Sequence, residues 1–265
     1  MIKINREEIK FSHFNDNTCY FKYNCDKLMP NILWLYENDE EIVRLMYLVN
    51  HIRTNLGSDT EINLVMPFLP NARQDRVKDH TDVFTLKYFA NFINSLNFNT
   101  VTIYDPHSAV SEVLFNNLKV LRPKEEIEAI FAIHPDALVF FPDEGSQKRY
   151  KDYIDKHQYG FGIKTRNWET REIESLFITG LSEGVVKGRD ILIIDDICGT
   201  GETLFKAAAQ LKNMGAKNIY AWVSHCENTI IKNKDLDDDL INKIYTSNSI
   251  YSSNHPKIET ILTFE

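Results

Sequence analysis

The chain has 265 residues, 43% of them hydrophobic and 26% charged, a balance that suits a folded protein with one large domain or two small ones. Its formal charge of -8 argues against a general nucleic-acid surface, which draws affinity from neutralising phosphates. The N-terminus lacks an apolar signal core, no stretch approaches membrane-spanning length, and the four cysteines form no C-x-x-C pair. A cytoplasmic protein with reduced thiols is therefore expected, with no membrane and no nucleic acid as partner.

Residues 1–60 carry the weakest signals. Residues 20–23 alternate faintly, 32–36 read as a strand, and 40–54 show helical spacing through Ile42, Val43, Leu45, Met46 and Val49. Residues 61–66 predict a strand stopped by Pro67. A polar block over 70–80 leads into a helix over 82–96, with Thr81 or Asp82 as its N-cap. A short buried strand over 101–104 ends in Asp105-Pro106-His107-Ser108. Then come a helix over 125–133, a strand over 137–141 and the loop Pro142-Asp143-Glu144-Gly145-Ser146. A helix over 147–157 and a strand over 159–163 precede a polar, mobile segment over 164–171. Strands are predicted again over 175–181, 218–224 and 243–246.

The strongest stretch is Ile191-Leu192-Ile193-Ile194-Asp195-Asp196-Ile197-Cys198-Gly199-Thr200-Gly201-Glu202-Thr203. Four apolar residues read as a buried parallel strand, with Asp195 and Asp196 at its carboxyl end. A helix over 204–214 follows, closed by Gly215. Strand, polar turn and helix start make an anion site, because the first N–H groups of a helix have no partner within it. Gly199 and Gly201 admit a phosphate closely, and Thr200 and Thr203 add hydroxyls. The acids suit vicinal sugar hydroxyls or a divalent cation. A plain helix cap is the bland alternative, but it does not account for the strand, acid pair and T-G-x-T turn occurring together. The P-loop lysine is missing, so this is no Walker A site.

Three further strand-end loops hold unusual polar residues. Arg73 offers a planar fork to phosphate or stacks on a base, and Gln74 can read an adenine edge. His107 and Asp143 fall short of a zinc set but suit magnesium already held by phosphate. Read alone, the block around Arg73 is a solvated turn and His107 a surface residue. Alternating strands and helices in each half predict an α/β fold of two Rossmann-like lobes with mainly parallel sheets. The lobes span 1–120 and 121–265, and the final residues can pack back on the first.

Together these motifs resemble the ribose-phosphate diphosphokinase (phosphoribosyl-diphosphate synthetase) family, whose fold is that of the type I phosphoribosyltransferases. P-F-L-P-N-A-R-Q-D-R at 67–76 is similar to the family's ATP loop. D-P-H-S-A-V-S-E-V-L-F at 105–115 is similar to its D-L-H loop, and F-P-D-E-G-S-Q-K-R at 141–149 to its P-D-x-G-x-x-K-R loop. Lys164-Thr165-Arg166 stands where its flexible catalytic loop carries Lys and Arg. Residues 195–203 resemble its ribose-phosphate loop, and 246–250 its closing T-N-T/S-I strand end.

The resemblance implies an ATP-dependent diphosphotransferase using Mg2+. Arg73, Gln74, Asp75, Arg76 and His107 would bind ATP, and His107 and Asp143 would position the metal. Asp195, Asp196, Cys198, Gly199, Thr200, Gly201 and Thr203 would hold the ribose and its phosphate. Lys164 and Arg166, with His107, would serve catalysis. Ribose 5-phosphate ranks ahead as acceptor, with ADP-ribose, as in NAD salvage, the alternative. A non-catalytic regulatory partner and a base-specific phosphoribosyltransferase are the competing classes. A homo-oligomer is implied, because relatives build the nucleotide site across subunits.

Several departures stand out. The family's opening strand–helix unit with its Gly-Asn signature is not recognised, and residues 14–18 match only loosely the segment that reaches a neighbouring adenine. Both weaken the expectation of the family's hexamer and phosphate/ADP regulatory site. Val110 and Glu112 replace glutamines, Gly199 replaces an acid, and Glu202 replaces a small residue.

Overall fold

The structure, a computed structural model, describes residues 1–25, 29–154, 156–166 and 173–265. The chain divides into two compact units, Met1–Arg122 with Phe264–Glu265, and Pro123–Thr263.

The first unit contains β1 (Ile2–Ile4), β2 (Glu7–Glu8), β3 (Phe11–His13), β4 (Cys19–Phe21), β5 (Asn31–Trp34) and α1 (Glu40–Leu56). It continues with β6 (Asn63–Val65), α2 (Thr85–Ser95), β7 (Thr100–Tyr104), α3 (Ser111–Leu114) and β8 (Leu118–Leu121). Six strands form a sheet in the order β2-β1-β5-β6-β7-β8. From β5 to β8 the pairing is parallel, while β1 and β2 are added antiparallel at one edge. Leu45, Leu48, Val49 and Ile52 of α1 are fully buried at one-turn spacing, each contributing roughly 1.5–3 kcal/mol of apolar burial. Residues 1–60 therefore do hold a strand–helix unit, β5 followed by α1, and the hairpin of β3 and β4.

The predicted cap of α2 is corrected. The helix begins at Thr85 after Phe84, without a side-chain cap. The Asp82 carboxylate accepts instead from Lys78 N at 2.9 Å, and Thr81 Oγ1 donates to Asp79 at 2.5 Å. These side chains close turns of the preceding loop, a local competition typical of Asp and Thr.

The second unit contains α4 (Lys124–Ile133), β9 (Leu138–Phe141), α5 (Glu144–Tyr150), β10 (Tyr159–Arg166), β11 (Ile173–Thr179) and α6 (Glu183–Val186). It ends with β12 (Ile191–Cys198), α7 (Glu202–Asn213), β13 (Ile219–Cys226), β14 (Lys243–Ser247) and β15 (Ile258–Leu262). The sheet order is β11-β10-β9-β12-β13-β14-β15. All pairs are parallel except β10 with β11. β9 and the first half of β12 are buried throughout, as expected of parallel strands covered on both faces. Trp222 and Phe140 are among the largest fully enclosed side chains here.

Three sequence expectations change in this unit. β12 runs on through Cys198, because β13 extends to Cys226 and pairs with it, so Asp195 and Asp196 lie within the strand. α5 starts at Glu144, taking up residues expected to be loop, because Asp143 and Ser146 form a reciprocal capping box. Lys164, Thr165 and Arg166 are not loop but the last residues of β10, paired with β11. The remainder of that segment, 167–172, lies outside the described residues. No helix among the described residues is long and apolar enough to cross a membrane.

Candidate functional site

In the first unit, two strand-end loops meet through one carboxylate. The loop after β6 turns at Asn71, whose φ is +63°, and buries Leu69 and Ala72 as anchors. Beyond them Arg73, Gln74 and Arg76 are exposed. Gln74 Oε1 accepts from Thr85 Oγ1 at 2.8 Å, tying the loop to the start of α2. Arg76 grips Asp75 with both ends of its fork, at 2.7 and 3.1 Å. On its other side Asp75 Oδ2 accepts from Ser108 Oγ at 2.7 Å. The Arg76 hydrogen bonds, with that from Ser108, hold the Asp75 carboxyl below its usual range. Asp75 thus joins the Arg73 loop to the His107 loop.

The His107 loop is itself firmly seated. Asp105 at the end of β7 is fully buried with φ +41°, a conformation uncommon for a residue with a side chain. Its N–H donates to Leu121 O at 2.8 Å, and Arg122 stands 3.6 Å from its carboxylate. Arg122 also donates to Glu112 at 2.5 Å, so the acid at that position is neutralised within the unit. His107 itself is exposed.

In the second unit, Asp143 Oδ1 accepts from Ser146 N at 3.0 Å. Arg149, from the last turn of α5, lies 3.1 Å from Asp196 Oδ2, with the two side chains only 18% and 8% exposed. Asp196 Oδ1 also accepts from Ile197 N at 2.8 Å. This acid is committed largely to its own protein. Asp195 is half-buried, and its Oδ1 accepts from Asp196 N at 3.0 Å. Of the pair, Asp195 is the better placed to meet a ligand.

The Cys198 side chain turns into the apolar core beside Cys226, its neighbour on β13. The hydrogen bond with Cys226 and burial push its thiol well above the usual range, so Cys198, expected to bind the ribose phosphate, instead packs the strand beneath the turn. Gly201 precedes α7 with φ +82°, and a methyl group there would stand 2.5 Å from the Phe205 ring. Only glycine fits that turn. The amides of Glu202, Thr203 and Leu204 head the first turn of α7. Glu202 is 55% exposed and pairs with Lys206 one turn on, at 2.6 Å, which blunts its repulsion of an anion.

The segment just beyond β13 walls this loop, a feature the sequence reading missed. Asn233 Nδ2 donates to Thr200 O at 2.7 Å, and a methyl group at Gly201 would stand 3.4 Å from Ile230 Cγ1. At Gly199 it would stand 3.4 Å from Glu227 Oε2. Also unforeseen is the buried cluster in which His225 Nδ1 meets Ser249 Oγ at 2.8 Å and Ser247 Oγ donates to Ser224 O at 2.6 Å. It fastens the ends of β13 and β14 together. The buried serines of that strand end were the one signal available.

Lys164 and Arg166 are placed by their backbone alone, at the end of β10. Magnesium is the ion the sequence implied. Among the described residues no group of three His, Cys, Asp or Glu side chains converges to hold one. The half-buried Asp143 carboxylate fits an ion brought in on phosphate, because magnesium selects oxygen donors and keeps waters. The exposed His107 imidazole, a nitrogen donor, fits phosphate oxygens better than the ion itself.

A family model described as a phosphoribosyl transferase domain matches residues 153–252. The chain is 28% identical over 223 residues to a ribose-phosphate pyrophosphokinase of Thermococcus kodakarensis, covering 82% of this chain and 77% of that one. It is 27% identical over 194 residues to a namesake from Saccharolobus solfataricus, covering 72% of this chain. The chain is thus similar in sequence to ribose-phosphate pyrophosphokinases. It spans about two thirds (65%) of the length of the Saccharolobus pyrophosphokinase. The crystal structure of the phosphoribosylpyrophosphate synthetase from Mycobacterium smegmatis superposes with a TM-score of 0.81, covering 97% of this chain and 86% of that one at 17% identity. Its likeness establishes the type I phosphoribosyltransferase-like α/β fold of this chain.

Proposed function

We propose that the protein transfers the β,γ-diphosphate of Mg-ATP to the anomeric 1-hydroxyl of a 5-phosphorylated ribose. The hydroxyl oxygen forms a bond to the β-phosphorus while the bond from that phosphorus to the α,β-bridging oxygen breaks. AMP leaves, and the hydroxyl proton is lost. With ribose 5-phosphate the product is phosphoribosyl diphosphate.

The observation carrying this reading is the turn between β12 and α7. A half-buried acid at Asp195, a glycine-only position at Gly201 and the open first turn of α7 together suit a sugar bearing a phosphate. Gly199, Thr200 and Thr203 would bind the 5-phosphate. Asp195 would accept from the ribose hydroxyls, and Asp196, held by Arg149, would shape the strand beneath. Arg73, Gln74 and Arg76 would hold ATP, with His107 on its phosphates and Asp75 fixing their loop. Asp143 would hold magnesium together with the phosphates, and the ion would neutralise triphosphate charge. Lys164 and Arg166 would stabilise charge growing on the transferred group, and phosphoryl transfer depends mainly on such positioning and electrostatics.

A second reading takes ADP-ribose as acceptor. It is favoured by the Glu227 carboxylate beside Gly199, since the phosphate joined to ribose is then a diphosphate ester with a single charge. A soluble protein acting in the cytoplasm as a homo-oligomer agrees with either acceptor. Purified protein with Mg-ATP and each acceptor in turn, followed by chromatography of AMP, tests the proposal. Acceptor-dependent AMP is expected, and its absence with both acceptors would refute diphosphate transfer.

A further inference from the structure

Three successive residues of the acceptor loop rest on one short segment. Gly199 faces Glu227, the Thr200 carbonyl accepts from Asn233, and Gly201 faces Ile230. That segment is fixed at its start, where Glu227 N donates to Cys198 O at 2.7 Å. The same bond extends the parallel pairing of β12 and β13 by one residue and brings Glu227 level with Gly199. Both carboxylate oxygens lie close to the space above Gly199, 3.4 and 3.7 Å from where a methyl group would stand. Thr229 Oγ1 donates to Oε2 at 3.3 Å and helps hold that orientation. A methyl group at residue 199 would stand in van der Waals contact with this carboxylate, which places the acid directly against the loop.

A fixed negative charge at a phosphate loop has a definite consequence. The N–H groups and hydroxyls attract an anion, while the neighbouring carboxylate penalises each additional charge on it. A terminal phosphate monoester carries nearly two charges at neutral pH. A phosphate esterified on both sides carries one.

We infer that Glu227 is the residue that determines acceptor specificity, weakening binding of a ribose with a terminal 5-phosphate relative to one whose 5-phosphate is esterified further. This rests on the loop binding a ribose phosphate, as proposed above. Titration calorimetry with ribose 5-phosphate and with ADP-ribose, on wild type, Glu227→Gln and Glu227→Asp, reads it without turnover. Charge removal in Glu227→Gln should tighten ribose 5-phosphate about five- to tenfold. ADP-ribose affinity should change less than about twofold, and Glu227→Asp should keep the wild-type ratio. An unchanged ratio in Glu227→Gln, or an equal change for both ligands, would overturn the inference. Failure of wild type to bind either ligand would instead count against the loop's assignment, and with it this role for Glu227.

Discussion

The two candidate loop sets are built by different means. In the first unit the loops after β6 and β7 are joined by side chains, with Asp75 clasped between Arg76 and Ser108. In the second, the turn after β12 is built from backbone, by a strand extended to Cys198, a left-handed glycine and the start of α7. A polar clasp of the first kind contributes modestly to stability and mainly sets where a loop sits. A backbone turn is part of the fold, so damage to it spreads to strand and helix. Stability and ligand binding should therefore separate in the first unit and move together in the second.

The largest effect bearing on this contrast is expected from Lys164→Ala, on a regular strand end rather than on either loop. If Lys164 stabilises the transferred group, AMP formation should fall by ~10³ or more. ATP binding, measured by equilibrium titration, should be largely intact, and full activity would remove Lys164 from its assigned role. Gly201→Ala comes next. Its φ of +82° and the Phe205 ring 2.5 Å away should cost at least about 2 kcal/mol in denaturant unfolding. Acceptor affinity should fall with it, and a variant of wild-type stability would show that the turn is not backbone-determined.

Arg149→Met tests the same unit from beneath. It removes the Arg149 cation from the nearly buried Asp196 carboxylate, at a cost of about 2–3 kcal/mol once the partial exposure of Arg149 is allowed for. An unfolding midpoint within error of wild type would mean that Asp196 has no need of that partner. Asp75→Asn should be mildest for stability, about 1 kcal/mol or less, because Arg76 is largely exposed. The KM for ATP should nevertheless rise several-fold, by roughly the factor that ~1 kcal/mol sets. Because the folded carboxyl of Asp75 is held below its usual range, its contribution is present above the unfolded pKa and lost as pH falls through the lowered folded value. The stability gap between wild type and Asp75→Asn should thus be flat from pH 8 to about 5 and close only in stronger acid. A gap that closes near pH 6 would assign it to another group.

The same contrast decides what could be read from sequence. The turn after β12 announces itself because Ile191-Leu192-Ile193-Ile194 and the Gly-Thr run are local patterns with one backbone solution. Even so, the end of β12 was placed too early, since its length is set by pairing with β13, which sequence windows do not see. The Arg73 and His107 loops were visible as polar blocks, but their union through Asp75 and Ser108 joins residues 33 apart. Glu227 was missed for a similar reason. It sits in no motif and reaches Gly199 only through strand register. In residues 1–60, β1 and β2 are too short to show a period; β1 gains its definition from β5, and β2 from β1.

The placing of the cysteines gives each half of the chain a separate chemical address. Cys198 and Cys226 are enclosed between β12 and β13, and the Cys198 thiol resists ionisation, whereas Cys19 and Cys25 in the first unit are partly open to solvent. A maleimide dye applied to the native protein should accordingly mark the N-terminal unit and spare the acceptor loop. If the Arg73 and His107 loops hold nucleotide as proposed, fluorescence from such a label would report its arrival in the first unit.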